Sequence, residues 1–264
     1  VWQEEHEGWC KRPLTGKEYV YVWADGVYFG VRLGEDKRLA CLVLVGVLPD
    51  GTMEVIALQD GYRESTESWL SLLRDLKRRD MPAPKLAIGD GALGFWAALR
   101  QVYSGTKEQR CWVHKIANIL DKLPKRVQPR AKDLLHEIMY APDRQSALQD
   151  VERFAQEFEA KYPKAVACLL KDQDELLTFF DFPAEHWIHL RTTNPIESTF
   201  STVKARTKRT KGAGSRKAGL AMVFKLLLGA QKSWRKINAP HLVALVQAGV
   251  KFLDGQPQLS VKAA

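Results

Sequence analysis

The segment Glu-Tyr-Val-Tyr-Val-Trp-Ala-Asp-Gly, residues 18–26, decides the fold class that the sequence predicts. Aromatic and β-branched side chains dominate residues 18–24, which is typical of a β-strand, and Asp25-Gly26 ends the run. Residues 39–47 are apolar throughout, as in a strand buried on both faces, and residues 53–58 follow a Pro-Asp-Gly turn. Three strands in succession indicate an antiparallel meander.

Helices then alternate with short strands. Ser65 can cap a helix whose apolar residues recur every three or four positions: Trp69, Leu72, Leu73 and Leu76. Residues 85–89 predict a strand that ends at Asp90, residues 92–103 a helix, and residues 107–113 a fifth strand. The remainder is predicted to be helical, in segments 130–140, 143–161, 163–171, a helix opening at 194, 218–234 and 240–253, with a frayed tail from 254. The order βββαβαβ followed by helices predicts an α/β fold with a mixed sheet.

Composition excludes several classes of protein. The chain has 264 residues, 45% of them hydrophobic, which is ordinary for a globular protein and excludes disorder of the whole chain. No apolar run reaches the roughly 18 residues that a membrane helix needs. Four cysteines lie far apart without a Cys-x-x-Cys pair, which indicates the reducing cytoplasm. The first residue is Val rather than Met, and the first residues show neither the basic nor the apolar region of a signal peptide, so we expect no secretory signal and a piece of a longer protein.

Charge is concentrated in blocks along the chain. The formal net charge is +9, and residues 191–217 hold eight basic side chains against Glu197 alone. Residues 107–132 hold eight basic side chains against two acids, whereas residues 133–185 hold twelve acids and five bases. A single basic helix is often only a solvated face, but two basic blocks favour a polyanionic partner. The block at 191–217 is basic on nearly every helical face, which suits a phosphate backbone better than a lipid surface.

Two aspartates are candidates for metal ligands. Asp25 and Asp90 each follow a predicted strand and each precede a glycine, and carboxylates at strand ends are where a sheet can offer oxygen ligands to Mg²⁺. Asp-Gly also occurs at 50–51, 60–61 and 254–255, where a simple turn explains it. Each Asp-Gly taken alone is therefore open to the turn interpretation.

Glu197 has two interpretations. Asn194-x-x-Glu197 fits a capping box, in which the glutamate binds back to the first backbone N–H of its helix and only stabilises it. Its place directly before the most basic segment also suits a metal-binding carboxylate beside phosphate-binding residues. The sequence pattern leaves both open.

The histidines and cysteines give weaker signals. Cys111-x-x-His114 has the spacing of half a zinc site, but the other half is not evident, so we expect Cys111 and His114 to support the core or the active site. His186-Trp187-x-His189 is more typical of packed histidines. Phosphate-binding loops and the serine-hydrolase elbow are absent from the sequence, so nucleotide hydrolysis and serine chemistry have no motif support.

One long string carries a family resemblance. Leu-Arg-Thr-Thr-Asn-Pro-Ile-Glu-Ser-Thr-Phe at 190–200, followed by Lys-Ala-Arg-Thr-Lys-Arg-Thr-Lys-Gly-Ala-Gly-Ser-Arg at 204–216, resembles the hallmark segment of bacterial Mutator-type insertion-sequence transposases. Asp25-Gly26, Ile-Gly-Asp-Gly at 88–91 and the Cys111-x-x-His114 element support it. The resemblance covers about residues 18–253. Members normally carry a substantial N-terminal region that recognises terminal inverted repeats, and little of it is present here.

The resemblance implies a fold and a division of the chain. The fold would be ribonuclease H-like, a mixed sheet with helices on both faces, interrupted by an all-helical insertion. The implied parts are an N-terminal remnant at 1–17, the first part of the core at 18–115, the insertion at 116–190, the second part of the core with the basic helix at 191–253, and the tail at 254–264.

The resemblance also implies a reaction. Asp25, Asp90 and Glu197 would be catalytic and hold two Mg²⁺ ions, with Mn²⁺ as a substitute and zinc not expected. The chain would free a 3′-OH at transposon ends and join it to target DNA, as a homodimer on paired ends without a membrane. The residues expected to bind DNA are Arg191, Lys204, Arg206, Lys208, Arg209, Lys211, Arg216 and Lys217. Two rivals remain: a non-catalytic DNA-binding remnant with a structural zinc site, and a nuclease that never transfers strands.

Overall fold

Five strands form one mixed sheet in the computed structural model, which describes residues 1–31, 38–61, 65–91, 93–209 and 212–258. The strands are β1 (Tyr21–Gly30), β2 (Arg38–Val47), β3 (Met53–Gly61), β4 (Leu86–Gly89) and β5 (Lys107–Arg110). Their order across the sheet is β3-β2-β1-β4-β5. The pairs β1–β2 and β2–β3 are antiparallel, whereas β4 is parallel to both β1 and β5. The predicted meander and the predicted mixed α/β sheet are confirmed.

The first strand is longer than predicted. Asp25 and Gly26 do not end it, because β1 pairs with β2 over its whole length, from Tyr21 to Gly30. Its parallel pairing with β4 covers only Tyr21 to Ala24. Asp25 therefore follows the last residue paired with β4 but lies inside the strand. The prediction that the strand ends there is wrong, since pairing on the other edge overrides the turn signal of Asp-Gly.

The fifth strand is shorter than predicted. It ends at Arg110, and the chain turns directly into helix α4, Trp112–Leu120. Trp112, Ile116 and Ile119 are buried at helical spacing, so the aromatic and β-branched residues at 112–113 belong to a helix that the sequence did not indicate.

Helices cover both faces of the sheet, because side chains alternate along each strand. Tyr21 and Trp23 of β1 belong to one apolar core, and Val22 and Ala24 belong to the other. The second core is closed by α2 (Thr66–Arg78) and α3 (Leu93–Val102). Ser65 caps α2 as predicted, by accepting a hydrogen bond from the backbone of Ser68 at 3.2 Å.

The chain is helical between β5 and residue 209. Its helices after α4 are α5 (Gln128–Met139), α6 (Arg144–Phe158), α7 (Pro163–Leu170), α8 (Gln173–Leu176), α9 (Trp187–Leu190) and α10 (Asn194–Arg209), with short 3₁₀ turns at Thr178–Asp181 and Ala184–His186. Helix α10 returns to the sheet and contacts β1. Hereafter "helical segment" means α4 to α9.

The two ends of the chain add smaller elements. Helix α1 (Trp2–Cys10) packs against α11 (Arg216–Gln231), and α12 (His241–Gln247) precedes a hairpin of β6 (Phe252–Leu253) and β7 (Gln256–Pro257). The hairpin turn is at Asp254-Gly255, as a turn interpretation of that dipeptide predicts. The prediction of a frayed tail from residue 254 is therefore wrong for residues 254–257, which belong to the hairpin. In the described part of the chain, no helix has the length and apolar character to cross a membrane.

Candidate active site

Asp25 and Asp90 occupy neighbouring positions at the carboxyl end of the paired segments of β1 and β4. Ala24 pairs with Gly89, so the two aspartates occupy the next position on β1 and just past β4. Parallel neighbours are about 4.8 Å apart across a sheet. The Asp25 carboxylate also accepts a hydrogen bond from the backbone of Gly26, at 2.7 Å between N and Oδ1. The register thus brings together two carboxylates that are 65 residues apart in sequence.

A glycine is required directly after Asp90. Gly91 has a φ of +91°, a left-handed conformation that other residues adopt at a cost, and a Cβ there would overlap the guanidinium group of Arg110. That guanidinium donates a hydrogen bond to the Gly91 carbonyl at 3.1 Å. The glycine therefore allows Arg110 to pass close to the backbone beside Asp90.

Cys111 lies on the other side of Asp90. Its backbone N–H donates to the carbonyl of Gly89 at 2.8 Å and so continues the pairing of β5 with β4. His114 follows one turn into α4, with Nδ1 at 3.3 Å from the Cys111 Sγ. The Cys-x-x-His element therefore adjoins the two aspartates at the same edge of the sheet.

Four hydrogen bonds fix the start of α10 over this edge. The indole N–H of Trp23 donates to the carbonyls of His189 and Thr192, each at 3.2 Å. The backbone N–H of Trp112 donates to the carbonyl of Arg191 at 2.9 Å, and that of Thr193 donates to the Cys111 Sγ at 3.3 Å. Because the partners of residues 189–193 in these bonds are Trp23 of β1, Cys111 and Trp112 of α4, the start of α10 is held against the sheet.

Glu197 does not form the capping box that its spacing allows. The carbonyl of Thr193 accepts the Glu197 N–H at 3.0 Å, so Thr193 takes the capping position, one residue earlier than Asn194. The Asn194 N–H donates to the Thr192 hydroxyl at 3.3 Å, and the Glu197 carboxylate accepts a hydrogen bond from the Thr193 hydroxyl. The capping-box interpretation of Glu197 is wrong. Its side chain, 33% exposed, is aimed at the Cys111–His114 element instead.

Cys111, His114 and Glu197 form one cluster. Their donor atoms lie within 4.8 Å of one another, and His114 Nδ1 is 3.7 Å from Glu197 Oε1. The hydrogen bond with Cys111 raises the pKa of His114 to about 9, and the charges of Cys111, Glu197 and Asp90 act in the same direction. Burial raises the pKa of the Cys111 thiol, but hydrogen bonds from His114 and Thr193 outweigh it and bring that pKa below its ordinary value. Asp25 and Asp90 are not part of this cluster.

The sequence as a whole matches a known family. The family model for transposases of the Mutator family matches residues 2–236. The chain belongs to the Mutator family of transposases.

Its relatives carry names of the same kind. It is 58% identical over 255 residues to the transposase for insertion sequence element IS6120 of Mycolicibacterium smegmatis, which covers 97% of this chain and 79% of the relative. It is 50% identical over 264 residues to the transposase for insertion sequence element IST2 of Acidithiobacillus ferrooxidans, with coverage of 97% and 86%. A more distant relative, the transposase for ISRM5 of Rhizobium meliloti, is 28% identical over 239 residues. A transposase acts on DNA, which is therefore the partner that basic surfaces on this chain have to accommodate.

The exposed end of α10 carries four of the eight predicted DNA-binding residues of this transposase. Lys204, Arg206, Lys208 and Arg209 are all exposed there, and Lys217 is exposed near the start of α11. Arg216 is half-exposed and makes a two-pronged ion pair with Asp60 of β3, at 2.6 and 3.0 Å. Lys211 lies outside the described residues. The helix thus presents a basic surface about two to three turns beyond Glu197.

Arg191 stands apart from that surface. Only 9% of it is exposed, and its guanidinium lies over the rings of Tyr140, Phe179 and Trp187 at 4.7 to 5.4 Å. Burial lowers the pKa of Arg191 to about 10. The structure therefore encloses this cation among aromatic rings of the helical segment rather than exposing it toward phosphates.

Sequence reasoning missed Thr193 and Arg110. Thr193 contacts both Cys111 and Glu197, and its signal was available, since threonine before an Asn-Pro helix start is a favoured cap. Arg110 was counted only as part of a basic block. Its position beside Gly91 depends on the pairing of β5 with β4, which no local pattern reveals.

Proposed function

We propose that this transposase cleaves DNA strands at the ends of an insertion sequence and transfers the freed 3′-OH into target DNA, with Asp25, Asp90 and Glu197 as the catalytic carboxylates. One observation carries the proposal: the parallel register of β1 and β4 sets Asp25 beside Asp90, while α10 is hydrogen-bonded to the same sheet edge with Glu197 in its first turn. We infer that these three carboxylates, which come from distant parts of the sequence, act together at this end of the strands, next to the basic helix.

We also propose that the fold is ribonuclease H-like. The sheet order β3-β2-β1-β4-β5, with three antiparallel strands followed by two parallel ones, supports this. The core would comprise residues 18–115 and 191–253, and residues 116–190 would form a helical insertion between them. Because two transposon ends have to be joined together, we propose that the active form is a homodimer.

The donor set fits a hard divalent cation. Asp25, Asp90 and Glu197 offer carboxylate oxygens, the ligands that Mg²⁺ and Mn²⁺ prefer, and Asp25, Asp90 and Glu197 are each half-exposed. These three residues would hold two ions, which when bound would activate the attacking oxygen and stabilise the leaving one.

Neighbouring residues would orient this set. The Thr193 hydroxyl fixes one oxygen of the Glu197 carboxylate, and His114 brings a positive charge near Glu197 and Asp90 that offsets repulsion among the carboxylates. The exposed cations of α10 would hold phosphates without reading bases. In the first step water attacks the phosphorus and the 3′ oxygen leaves as the 3′-OH. In the second step that hydroxyl attacks target DNA and displaces a target 3′ oxygen.

The test is joining of pre-cut transposon-end oligonucleotides to a plasmid in Mg²⁺ or Mn²⁺. Glu197→Gln keeps the shape and an acceptor for Thr193 but removes the charge. We expect it to bind DNA and to lose more than about 100-fold in joining, since loss of mere outer-sphere partners of metal ligands costs about 10–100-fold. Glu185→Gln removes an equal charge at an exposed position and should join like the unmodified chain. Equal joining by both variants contradicts the assignment.

One observation favours a second candidate. The Cys111–His114–Glu197 cluster offers one sulfur, one nitrogen and one oxygen donor, a set that zinc also accepts. In a non-catalytic DNA-binding protein these residues would form a structural zinc site. Zinc retained in stoichiometric amount by protein that binds DNA but never joins ends would favour this candidate over strand transfer.

A further inference from the structure

A groove with a volume of about 860 Å³ begins beside Asp90. It starts at Gly91 and runs between α3 and β5 on one side and α4 and α7 of the helical segment on the other. Six cationic side chains line it against three carboxylates, Glu108, Asp172 and Glu175, and the cations are Arg100, Arg110, Lys115, Lys122, Lys164 and Lys171. None of its lining residues belongs to α10, so it is separate from the basic helix.

Three of the six cations that line the groove are already paired. Arg100 makes a two-pronged ion pair with Glu108, at 2.6 and 2.7 Å. Asp172 lies 2.6 Å from the Lys115 Nζ and 3.1 Å from the Arg110 Nε, and Lys115 is only 2% exposed. Two carboxylates thus compensate most of the charge of these three cations, and Asp172 joins the helical segment to β5.

The other three cations of the groove make no ion pair within the described part of the chain. Lys122, Lys164 and Lys171 are exposed, and among the described residues none has a carboxylate within 4.0 Å. Lys122 donates to the backbone carbonyl of Asn118, at 3.0 Å. The groove therefore has a positive rim that its own carboxylates leave uncompensated, next to the negative charge of Asp25 and Asp90.

The spacing of these lysines suits a phosphate backbone. Lys164 lies in the first turn of α7 and Lys171 is its C-cap residue, and seven residues correspond to about 10 Å along a helix. One strand of DNA carries a phosphate per roughly 3.4 Å of helix axis, so this face spans about three phosphates. Lysine is a flexible point charge, which suits phosphate contact without base recognition.

We propose that this groove is a second DNA-binding surface, in which Lys122, Lys164 and Lys171 hold the phosphate backbone of the DNA strand that passes Asp90. The inference rests on the proposed strand-transfer function. It deepens that function by assigning the path that the DNA follows beyond Asp25, Asp90 and Glu197. Contact through the rim lysines makes this surface independent of base sequence and sensitive to salt.

The first test compares two triple variants of equal charge. Lys122→Gln, Lys164→Gln and Lys171→Gln together remove the rim, whereas Lys132→Gln, Lys161→Gln and Lys232→Gln together remove three exposed lysines that do not line the groove. Binding of fluorescent DNA is measured as a function of salt. We expect the rim variant to lose about 2 to 3 from the slope of log affinity against log salt on duplex DNA, since each phosphate contact contributes about 0.9. The control variant should lose less than about 1. Equal losses overturn the proposal, because net charge alone then explains the binding.

Single-stranded and duplex oligonucleotides identify the bound form. A rim variant that loses more of its salt dependence on single strands assigns the groove to a separated strand, and one that loses more on duplex assigns it to double-stranded DNA. An unchanged slope on both substrates overturns the proposal.

The second test uses a native reporter inside the groove. Cys168 is half-buried on α7 between Lys164 and Lys171, whereas Cys10 lies on α1 outside the groove. We expect saturating DNA to slow alkylation of Cys168 by N-ethylmaleimide several-fold and to leave Cys10 unchanged. Equal labelling of Cys168 with and without DNA overturns the groove assignment. If ends are joined without protection of Cys168, only the groove is wrong. If Cys168 is protected but ends never join, the strand-transfer proposal is wrong.

Discussion

Thr193 makes two contacts that bear on Glu197. Its backbone N–H donates to the Cys111 Sγ, and its hydroxyl donates to the Glu197 carboxylate. The hydroxyl also lies 3.5 Å from His114 Nδ1. One residue at the helix start therefore ties the carboxylate to the strand end that carries Cys111, and its role is to position Glu197.

Replacing Thr193 by valine should separate positioning from folding. Valine keeps the branched shape and the backbone N–H to Cys111, but it removes the hydroxyl. We expect Thr193→Val to lower the rate of end joining by about 10–100-fold, as for other outer-sphere partners of metal-binding groups, with DNA affinity unchanged.

Thr193→Ser is the matched control, because it restores the hydroxyl. Joining that recovers in the serine variant supports positioning through the hydrogen bond. If the valine variant joins as fast as the unmodified chain, the contact with Glu197 has no part in the reaction.

At the scale of elements, the sequence predicted the strands and helices that local residue patterns determine. The five strands and the main helices followed from apolar runs, caps and turn residues. Asp90 directly follows β4 as predicted, whereas Asp25 lies inside β1. The length of β1 and the helix after Arg110 were not predicted, because pairing with β2 and burial of Trp112 override the local Asp-Gly and aromatic signals. The Thr193–Glu197 contact also depends on where α10 docks, which periodicity does not fix.

The strand end after β4 should tolerate no side chain at Gly91. Gly91→Ala introduces a Cβ at a positive φ against the Arg110 guanidinium, so it strains the backbone and displaces a half-buried, ion-paired cation. We expect the free energy of unfolding to fall by about 2 kcal/mol or more, measured by urea denaturation.

Gly105 provides the comparison. An added Cβ there meets nothing within 4 Å, and Gly105→Ala should change the unfolding free energy by less than about 0.5 kcal/mol. Similar losses for the two variants contradict the argument that Arg110 requires the glycine.

At the scale of the whole molecule, polar contacts hold the sheet, the helical segment and the C-terminal region together. Asp172 binds Lys115 and Arg110, and Asp181 accepts from Lys107 and Arg144, each at 2.7 Å. His186 is fully buried between the Tyr21 hydroxyl, at 2.8 Å from Nδ1, and the Ala239 carbonyl, at 3.3 Å from Nε2. The prediction that this histidine is packed rather than exposed to substrate is supported by its burial.

His186 should make the stability of the molecule depend on pH. Burial lowers its pKa in the folded protein, so the unfolded chain binds the proton more readily. Its contribution to stability is therefore full above the unfolded pKa of about 6.5 and is lost as pH falls through the folded pKa.

We expect the free energy of unfolding to rise between about pH 5 and 7, and to rise less steeply in His186→Gln, which cannot titrate. Urea denaturation at each pH measures both slopes. Parallel slopes for the variant and the unmodified chain would show that other groups carry the dependence.

The register of β1 with β4 also governs how the length of the chain can drift during evolution. Successive residues of a strand face opposite sides, so one extra residue within Leu86–Gly89 turns Asp90 away from Asp25. An extra residue at the exposed positions 82–83, before the strand, leaves the pairing intact. Natural length variation in descendants of this chain is therefore expected to accumulate in the connections, while the count of residues from Tyr21 to Asp25 and from Leu86 to Asp90 stays constant.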